Sequence, residues 1–379
     1  MVQYSKFSTN YKLTKGRVYK EDDDLNRTCF MRDRDRIIHS SAFRRLKYKT
    51  QVFVHHEQDY YRTRLSHSLE VSQLSRSISK VFEINDDLAE SISLSHDLGH
   101  TPFGHAGEEI LNQKMIDNGG FNHNFQALKI LTILEKKYMD FNGLNLTYET
   151  LDGILKHNGP VVGQPPSYIN EFINYFNGNI KHQGSFESQI AAVCDDIAYN
   201  NNDIDDGLYA GLFNIDELEE LEIIKEAFGK IRFNKSKSPE RFKYELIRKL
   251  INLMVDDLIR NTKINIKNMN IKTAQDILEA KNSLVIFSKE MIEKEKKLKV
   301  FLKNKMYNHP RVKTMNFKAK KIISDLFDLF IDEPYLLPAS WRDFENEKEK
   351  FINVADYISG MTDNYAMNIH KKYFDLYSF

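Results

Sequence analysis

Two stretches of this chain place histidines on the apolar face of a helical pattern, and that placement constrains the fold more than any other feature. In RLSHSLEVSQLSRSISKVF, His67, Val71, Leu74, Ile78 and Val81 follow one another four, three, four and three apart. That is the spacing of one helix face, so His67 is expected to point into the core from the first turn. A single inward histidine is ordinarily a satisfied core residue. In DDLAESISLSHDLGHTPFGHAGE, however, Leu88, Ile92 and His96 share a second face, and Asp97 follows directly. Gly99, Pro102 and Gly104 end or bend the helix there, letting neighbouring side chains converge. His96, His100 and His105 crowd into one short segment beside these helix breakers, which core packing does not explain.

A third segment supplies carboxylates. FESQIAAVCDDIAYNNNDIDDG spaces Glu187, Ala191, Asp195, Tyr199 and Asp203 four apart, one stripe of a helix. Apolar Ile190, Cys194 and Ile197 flank it, so the stripe reads as a polar cavity wall, with Asp205 and Asp206 on an exposed acidic face. His67, His96, Asp97 and Asp195 together offer two imidazoles and two carboxylates to one divalent ion. A tetrahedral Zn²⁺ would be filled by four protein ligands. An octahedral Mn²⁺, Mg²⁺ or Fe²⁺, or Co²⁺ or Ni²⁺, would keep two positions open for water and a phosphate oxygen. Open positions imply catalysis.

Composition narrows the class. At 379 residues, 41% hydrophobic and 28% charged, the chain can bury a substantial core. Lys+Arg and Asp+Glu both number 54, so no global basic field makes nucleic acid the main ligand. A local patch leaves room for weak single-stranded DNA binding only. Cys29 and Cys194 offer no disulfide framework, which fits a reducing cytoplasm. MVQYSKFSTN lacks an apolar leader core and no run reaches membrane-spanning length, so a cytoplasmic protein without a membrane partner is expected.

Residues 1–30 read as an irregular arm, 31–211 as the catalytic core and 212–379 as a helical C-terminal region packing on that core and contributing to oligomer contacts. Within the core, 158–188 reads as loops around a short helix. The fold class is mainly α. Its one β element would be TKINIKNMNIKT, 262–273, whose Ile/Asn/Lys alternation suggests a small hairpin or edge strand. The Lys/Glu-rich stretches beyond Asn214 read as solvated helix faces. His55 and His56 are assigned to a loop or the surface, and Phe327, Phe330, Tyr335 and Trp341 to core or interface.

The stretches RDRDRIIHSSAFRRLKYKTQVF, RTRLSHSLEVSQL, HDLGHTPFGHAGE, GGFNHNFQALKIL, GLNLTYETLDGILKH, DDIAYNNNDIDDG and ADYISGMTDNYA span nearly the whole chain. In this order they resemble the bacterial deoxyguanosinetriphosphate triphosphohydrolase-like proteins of the HD superfamily. Thr101 departs from a common Pro and Asn364 from a common Arg. The resemblance implies an HD-domain helical fold and conversion of a dNTP and water to a deoxynucleoside and tripolyphosphate, with dGTP preference suggested by the family name. It implies His67, His96, Asp97 and Asp195 as ligands of one metal ion per site, and His105 and Glu108 as a catalytic pair. His100 and His123 would lie near the α-phosphate. Gln51 would meet the sugar 3′-hydroxyl, Arg64, Tyr199 and Asp203 phosphate and sugar, and Lys156 a phosphate. Whether His105 gives a proton to the leaving 5′-oxygen or takes one from water stays open. Related enzymes bind effector nucleotides around FRRLKYKTQ, so Arg44, Arg45 and Lys47 are candidates for a dNTP activator site or a subunit contact; a solvated basic helix face is the plainer alternative. A tetrameric or hexameric homo-oligomer is expected. Two rivals stand beside this reading: another HD phosphohydrolase (a 5′-nucleotidase or phosphodiesterase), and a non-catalytic nucleotide- or single-stranded-DNA-binding HD protein. The second would be marked by a lost ligand, and all four are present.

Overall fold

The computed structural model describes residues 4–52, 61–231 and 238–376. His55 and His56 lie outside them. The chain is mainly α, as expected. The first half forms α1 (Cys29–Ile38), α2 (Ser41–Arg45), α3 (Arg64–Val81), α4 (Asp86–Ser95), α5 (His105–Lys114), α6 (His123–Lys129), α7 (Tyr148–Leu155), α8 (Ser167–Tyr175) and α9 (Phe186–Tyr209). The second half forms α10 (Ile215–Leu218), α11 (Glu222–Gly229), α12 (Pro239–Asn268), α13 (Ala274–Leu278), α14 (Lys289–Leu302), α15 (Pro310–Asp332), α16 (Glu347–Ser359) and α17 (Asp363–Phe374). No strand occurs among the described residues, only isolated bridges pairing Thr50 with Thr63 and Lys136 with Gly143.

Local chemistry sets the helix starts that matter for function. Thr63, Asn85, Thr147 and Ser185 each accept a first-turn backbone N–H through a side-chain oxygen, opening α3, α4, α7 and α9. Such caps stabilise a helix by about 1 kcal/mol each. Helices α3, α4 and α9 pack against one another and form the centre of the molecule. One apolar cluster joins α3 and α9 to α11, α12 and α14, and a second joins α1, α4, α7 and α8. A third packs α5 against α15, α16 and α17, and it contains Phe327 and Phe330.

Several expectations are corrected. Val81 is 48% exposed, and Phe82 and Ile84 enter the core in its place. The chain leaves α3 there and turns on Glu83, whose φ is +53°. Residues 262–268 continue α12 rather than forming a strand. Asn261 and Asn265, one turn apart, donate to the carbonyls of Ile286, Phe287 and Leu284. A helix face that binds neighbouring backbone through amides leaves no apolar period to read. Asp205 and Asp206 are buried, paired with Arg62 at 2.7 and 3.0 Å, and Asp205 also with Lys243 at 2.8 Å. Glu187 is buried too, but it accepts hydrogen bonds from Ser8, Thr9 and Asn85 and so anchors the N-terminal arm. Residues four apart on a helix drift by about 40° per step, which carries Glu187 far around from Asp203. Tyr335 is 81% exposed and so lies outside the core.

Gly99 sits where α4 gives way to the segment leading to α5. A Cβ there would meet the His123 carbonyl oxygen at 1.9 Å and the Ala127 nitrogen at 2.4 Å, both backbone atoms. Gly99→Ala is therefore expected to destabilise by about 1–3 kcal/mol or more. Gly229→Ala in α11, where nothing lies within 4 Å, should be neutral or gain up to about 1 kcal/mol. Urea denaturation of both variants checks this, and equal midpoints would refute the close approach at Gly99.

Candidate metal and phosphohydrolase site

The capped first turn of α3 carries Arg64 and His67, the end of α4 carries His96 and Asp97, and the middle of α9 carries Asp195. These remote segments meet. His67 Nε2 lies 2.8 Å from Asp195 Oδ1, and His96 Nε2 lies 3.6 Å from the same oxygen and 3.5 Å from Asp97 Oδ1. His67, His96 and Asp97 offer ligand atoms all within 4.8 Å of one another. In an octahedral complex of a small divalent ion, adjacent ligand atoms lie about 3 Å apart, close to this spacing.

The state of His96 tests whether a cation fits. Its Nδ1 donates to the Ser93 carbonyl at 2.6 Å. Its Nε2 is buried and has no hydrogen-bond partner. A bare nitrogen lone pair facing two carboxylates is repulsive unless a positive charge stands between them. In the protein alone a proton takes that place: burial lowers the His96 pKa, but Asp97 and Asp195 outweigh it and raise the value to about 9. Both carboxyls are held well below their ordinary range, against the cost of burial, by the cationic and imidazole groups around them. The donor set fits a divalent ion.

Asp97 links this cluster to a second one. Its Oδ2 is bound by Arg64 Nη1 at 2.9 Å, and its Oδ1 lies 3.2 Å from His100 Nε2. Burial, reinforced by Arg64 and His123, drives the His100 pKa well down, so its imidazole is neutral. His100 stacks on His123 with ring centres 4.0 Å apart. Glu108 then joins two histidines: its Oε1 accepts from His123 Nδ1 at 2.7 Å and its Oε2 lies 3.3 Å from His105 Nδ1. Burial opposes ionisation of Glu108, yet those two hydrogen bonds hold its pKa far below normal. His105 itself is exposed at the start of α5. Gly104, with φ +57°, turns the chain there, and any Cβ would stand 2.7 Å from the Arg64 guanidinium. Thr101, the departure from Pro, donates its hydroxyl to the Gly104 carbonyl at 2.8 Å and holds the same turn.

Tyr199 and Asp203 continue along α9 from Asp195. The Tyr199 ring stands edge-on to His67 at 6.3 Å. Tyr307, in the wide turn ending α14, places its hydroxyl in hydrogen-bond contact with the Asp203 carboxyl and, at 2.9 Å, with the Tyr199 hydroxyl. Burial pushes the Asp203 pKa up to about 8 despite that hydrogen bond. Gln51 is buried with Oε1 unpartnered, open to a donor such as a sugar hydroxyl. The structure engages the Lys156 ammonium with Asp152 at 2.9 Å, not with the histidines.

Sequence reasoning missed several groups here. His157 contacts Asp195 Oδ2 at 3.2 Å, and Asn202 Nδ2 lies 3.3 Å from His67 Nδ1. Lys49 is fully buried and donates to the carbonyls of His100 and Ser359. Asp363 accepts from the Thr50 and Phe103 nitrogens, both at 2.9 Å, so the C-terminal region reaches the loop that carries His100. The neighbour of the flagged Lys156 could have drawn attention to His157; Lys49, Tyr307 and Asp363 left no comparable signal.

The HD domain family matches residues 64–200, and the phosphohydrolase-associated domain matches 285–372. Fold and site define an HD-type phosphohydrolase. A deoxyguanosinetriphosphate triphosphohydrolase-like protein of Parvibaculum lavamentivorans is 46% identical, with 98% of this chain and 96% of the relative covered. Relatives of that description from Mesorhizobium japonicum and Brucella suis are 43% and 44% identical, with 97% of this chain and 94% and 95% of the relative covered. The chain belongs to the deoxyguanosinetriphosphate triphosphohydrolase-like family.

Asp203 generates a prediction. Its folded pKa of about 8 lies above the ordinary value of 3.8, so the unfolded chain ionises first and stability falls as pH rises from about 4 to 8. Asp203→Asn, which cannot ionise, should raise the thermal midpoint by several degrees at pH 8 and by little at pH 4, while lowering turnover. A gain independent of pH would show that Asp203 is not held neutral.

Proposed function

We propose that the protein is a metal-dependent dNTP triphosphohydrolase, converting a dNTP and water to a deoxynucleoside and tripolyphosphate, with dGTP among its substrates. The observation that carries the reading is the position of Asp97, which touches both the two-His, two-Asp cluster and, through His100, the His105–Glu108–His123 set. A site for one divalent ion thus adjoins a proton-transfer site on the same polar floor.

His67, His96, Asp97 and Asp195 would hold the ion: Mn²⁺, Mg²⁺ or Fe²⁺, with Co²⁺ and Ni²⁺ as substitutes. An ion held by these residues would supply Lewis-acid polarisation of a phosphoryl group and of the attacking water. Arg64, fixed on Asp97 and with a buried Nε that lacks a partner, offers donors to the anionic tail, with Lys156 as a further phosphate contact. His100 and His123 line the α-phosphate. Ionised Glu108 accepts from His105 Nδ1 and orients the ring so that Nε2 faces the leaving 5′-oxygen, to which His105 passes a proton. Gln51 takes the sugar 3′-hydroxyl, and Tyr199 with Asp203, braced by Tyr307, encloses the sugar and selects against a 2′-hydroxyl.

The proposal extends to organisation: 31–211 as catalytic core, with 212–379 packed on it and contributing contacts to a tetrameric or hexameric homo-oligomer. A dNTP activator would bind near Arg44, Arg45 and Lys47, and single-stranded DNA would bind weakly. Among the described residues no helix is long and apolar enough to cross a membrane, and we place the protein in the cytoplasm.

The decisive experiment incubates the protein with each dNTP, singly and mixed, in Mn²⁺ or Mg²⁺ and identifies products by chromatography. Tripolyphosphate and deoxynucleoside are expected; orthophosphate or a nucleoside monophosphate would favour another HD phosphohydrolase. His105→Ala should keep its metal and lose about 10²–10⁴-fold in turnover. Asp195→Ala should lose the metal by elemental analysis, and unchanged stoichiometry would refute its assignment as a ligand.

A further inference from the structure

His157 lies outside the set assigned to the cation, yet it is built into the same centre. Helix α7 ends at Leu155 and the chain turns, with the His157 nitrogen donating to the Ile154 carbonyl at 3.2 Å. The turn sends the ring inward, where it is buried. It lies flat against His96, with ring centres 5.0 Å apart and planes 23° from parallel. Its Nε2 stands 3.2 Å from Asp195 Oδ2, and its Nδ1 is buried without a partner.

The two oxygens of Asp195 are therefore divided. Oδ1 is the one nearest His67 and His96, at 2.8 and 3.6 Å, while Oδ2 meets His157. A carboxylate oxygen only accepts, so His157 Nε2 carries the hydrogen. Asp195 needs such a hold more than its fellow carboxylate. Its side chain is 29% exposed against 5% for Asp97, and Asp97 is already fixed by Arg64 and His100.

We propose that His157 is a positioning residue of the metal centre: it donates Nε2–H to Asp195 Oδ2 and braces the face of His96, so that Asp195 presents Oδ1 alone to the cation. A carboxylate chelating through both oxygens would fill a coordination position that substrate or water needs. His96, His157 and Asp195 also offer ligand atoms within 4.8 Å of one another, so direct ligation by His157 is the rival arrangement, and the count of coordinated imidazoles decides between the two. This inference rests on the assignment of His67, His96, Asp97 and Asp195 to the ion. Outer partners of this kind are worth about 10–100-fold in metal affinity.

The test titrates Mn²⁺ into chelator-treated protein and follows free Mn²⁺ by electron paramagnetic resonance, for wild type, His157→Ala, His157→Phe, His157→Gln and Asp195→Ala. His157→Ala and His157→Phe should raise the Kd about 10–100-fold; the phenylalanine keeps a flat ring against His96 and carries the test should the alanine variant fail to fold. His157→Gln, which restores an N–H donor, should recover most of the lost affinity. Pulsed measurements on the wild type should count two coordinated imidazoles. Wild-type affinity in the alanine and phenylalanine variants, a glutamine variant as weak as phenylalanine, or a third coordinated imidazole would each overturn the inference. A wild-type protein that binds no Mn²⁺ would instead remove the metal centre itself, and loss in Asp195→Ala with retention in His157→Phe would remove only the role of His157.

Discussion

The buried carboxylate of Asp97 is the constraint from which the rest of the site follows. Burying an isolated carboxylate is costly, and the cost is offset only by partners of opposite charge and good geometry. Arg64 supplies one charge at 2.9 Å and protonated His96 another, while neutral His100 adds a hydrogen-bond contact at 3.2 Å. Each partner comes from a different local device: the capped turn of α3, the bend after α4, and the last turn of α4. Exchange of the His96 proton for a divalent ion leaves the centre one positive charge richer. Such a surplus favours an anionic group beside the centre, so the electrostatics that stabilise the fold also bias it toward an anionic ligand.

The same loop is held from behind by the far end of the chain. Lys49 binds the carbonyls of His100 and Ser359, and Asp363 binds the nitrogens of Thr50 and Phe103. Burial lowers the Lys49 pKa to about 7 and raises that of Asp363. Such groups are expensive to bury unless each finds partners, and here each has one partner on the backbone of the loop carrying the histidines, the His100 carbonyl for Lys49 and the Phe103 nitrogen for Asp363. The phosphohydrolase-associated region is thereby part of the site's scaffold and not an appendage.

The helices and the convergence of His67, His96, Asp97 and Asp195 were legible because period and chemistry coincide there: each histidine lies on an apolar face, Asp97 stands just before a run of helix breakers, and Asp195 shares a stripe with small residues. What stayed hidden is pairing between remote segments. Arg62 with Asp205 and Asp206, Lys49 with Ser359, and Tyr307 with Asp203 leave no periodic trace, since nothing at either position announces the other. His157 was hidden differently. It stands in the turn after a helix, where no face exists to predict direction. At 262–268 the period itself misled, because α12 uses asparagines to grip a neighbouring backbone.

Helix α9 shows why the acidic stripe was only partly what it seemed. A straight helix cannot keep residues four apart on one line, and the slow rotation distributes them among separate tasks. Glu187 faces the arm, Asp195 the histidines, Tyr199 and Asp203 the phenol of Tyr307, and Asp205 and Asp206 the cations Arg62 and Lys243. Glu187 is met by hydroxyl and backbone donors, and Asp205 and Asp206 by Arg62. Among the described residues Asp203 has no cation in contact, and it is kept neutral by burial up to about pH 8. A carboxyl held against its ionic preference weakens the fold at neutral pH, and a fold keeps such a weakness where the protonated group has work to do. A protonated carboxyl there can both donate and accept a hydrogen bond, which an ionised one cannot.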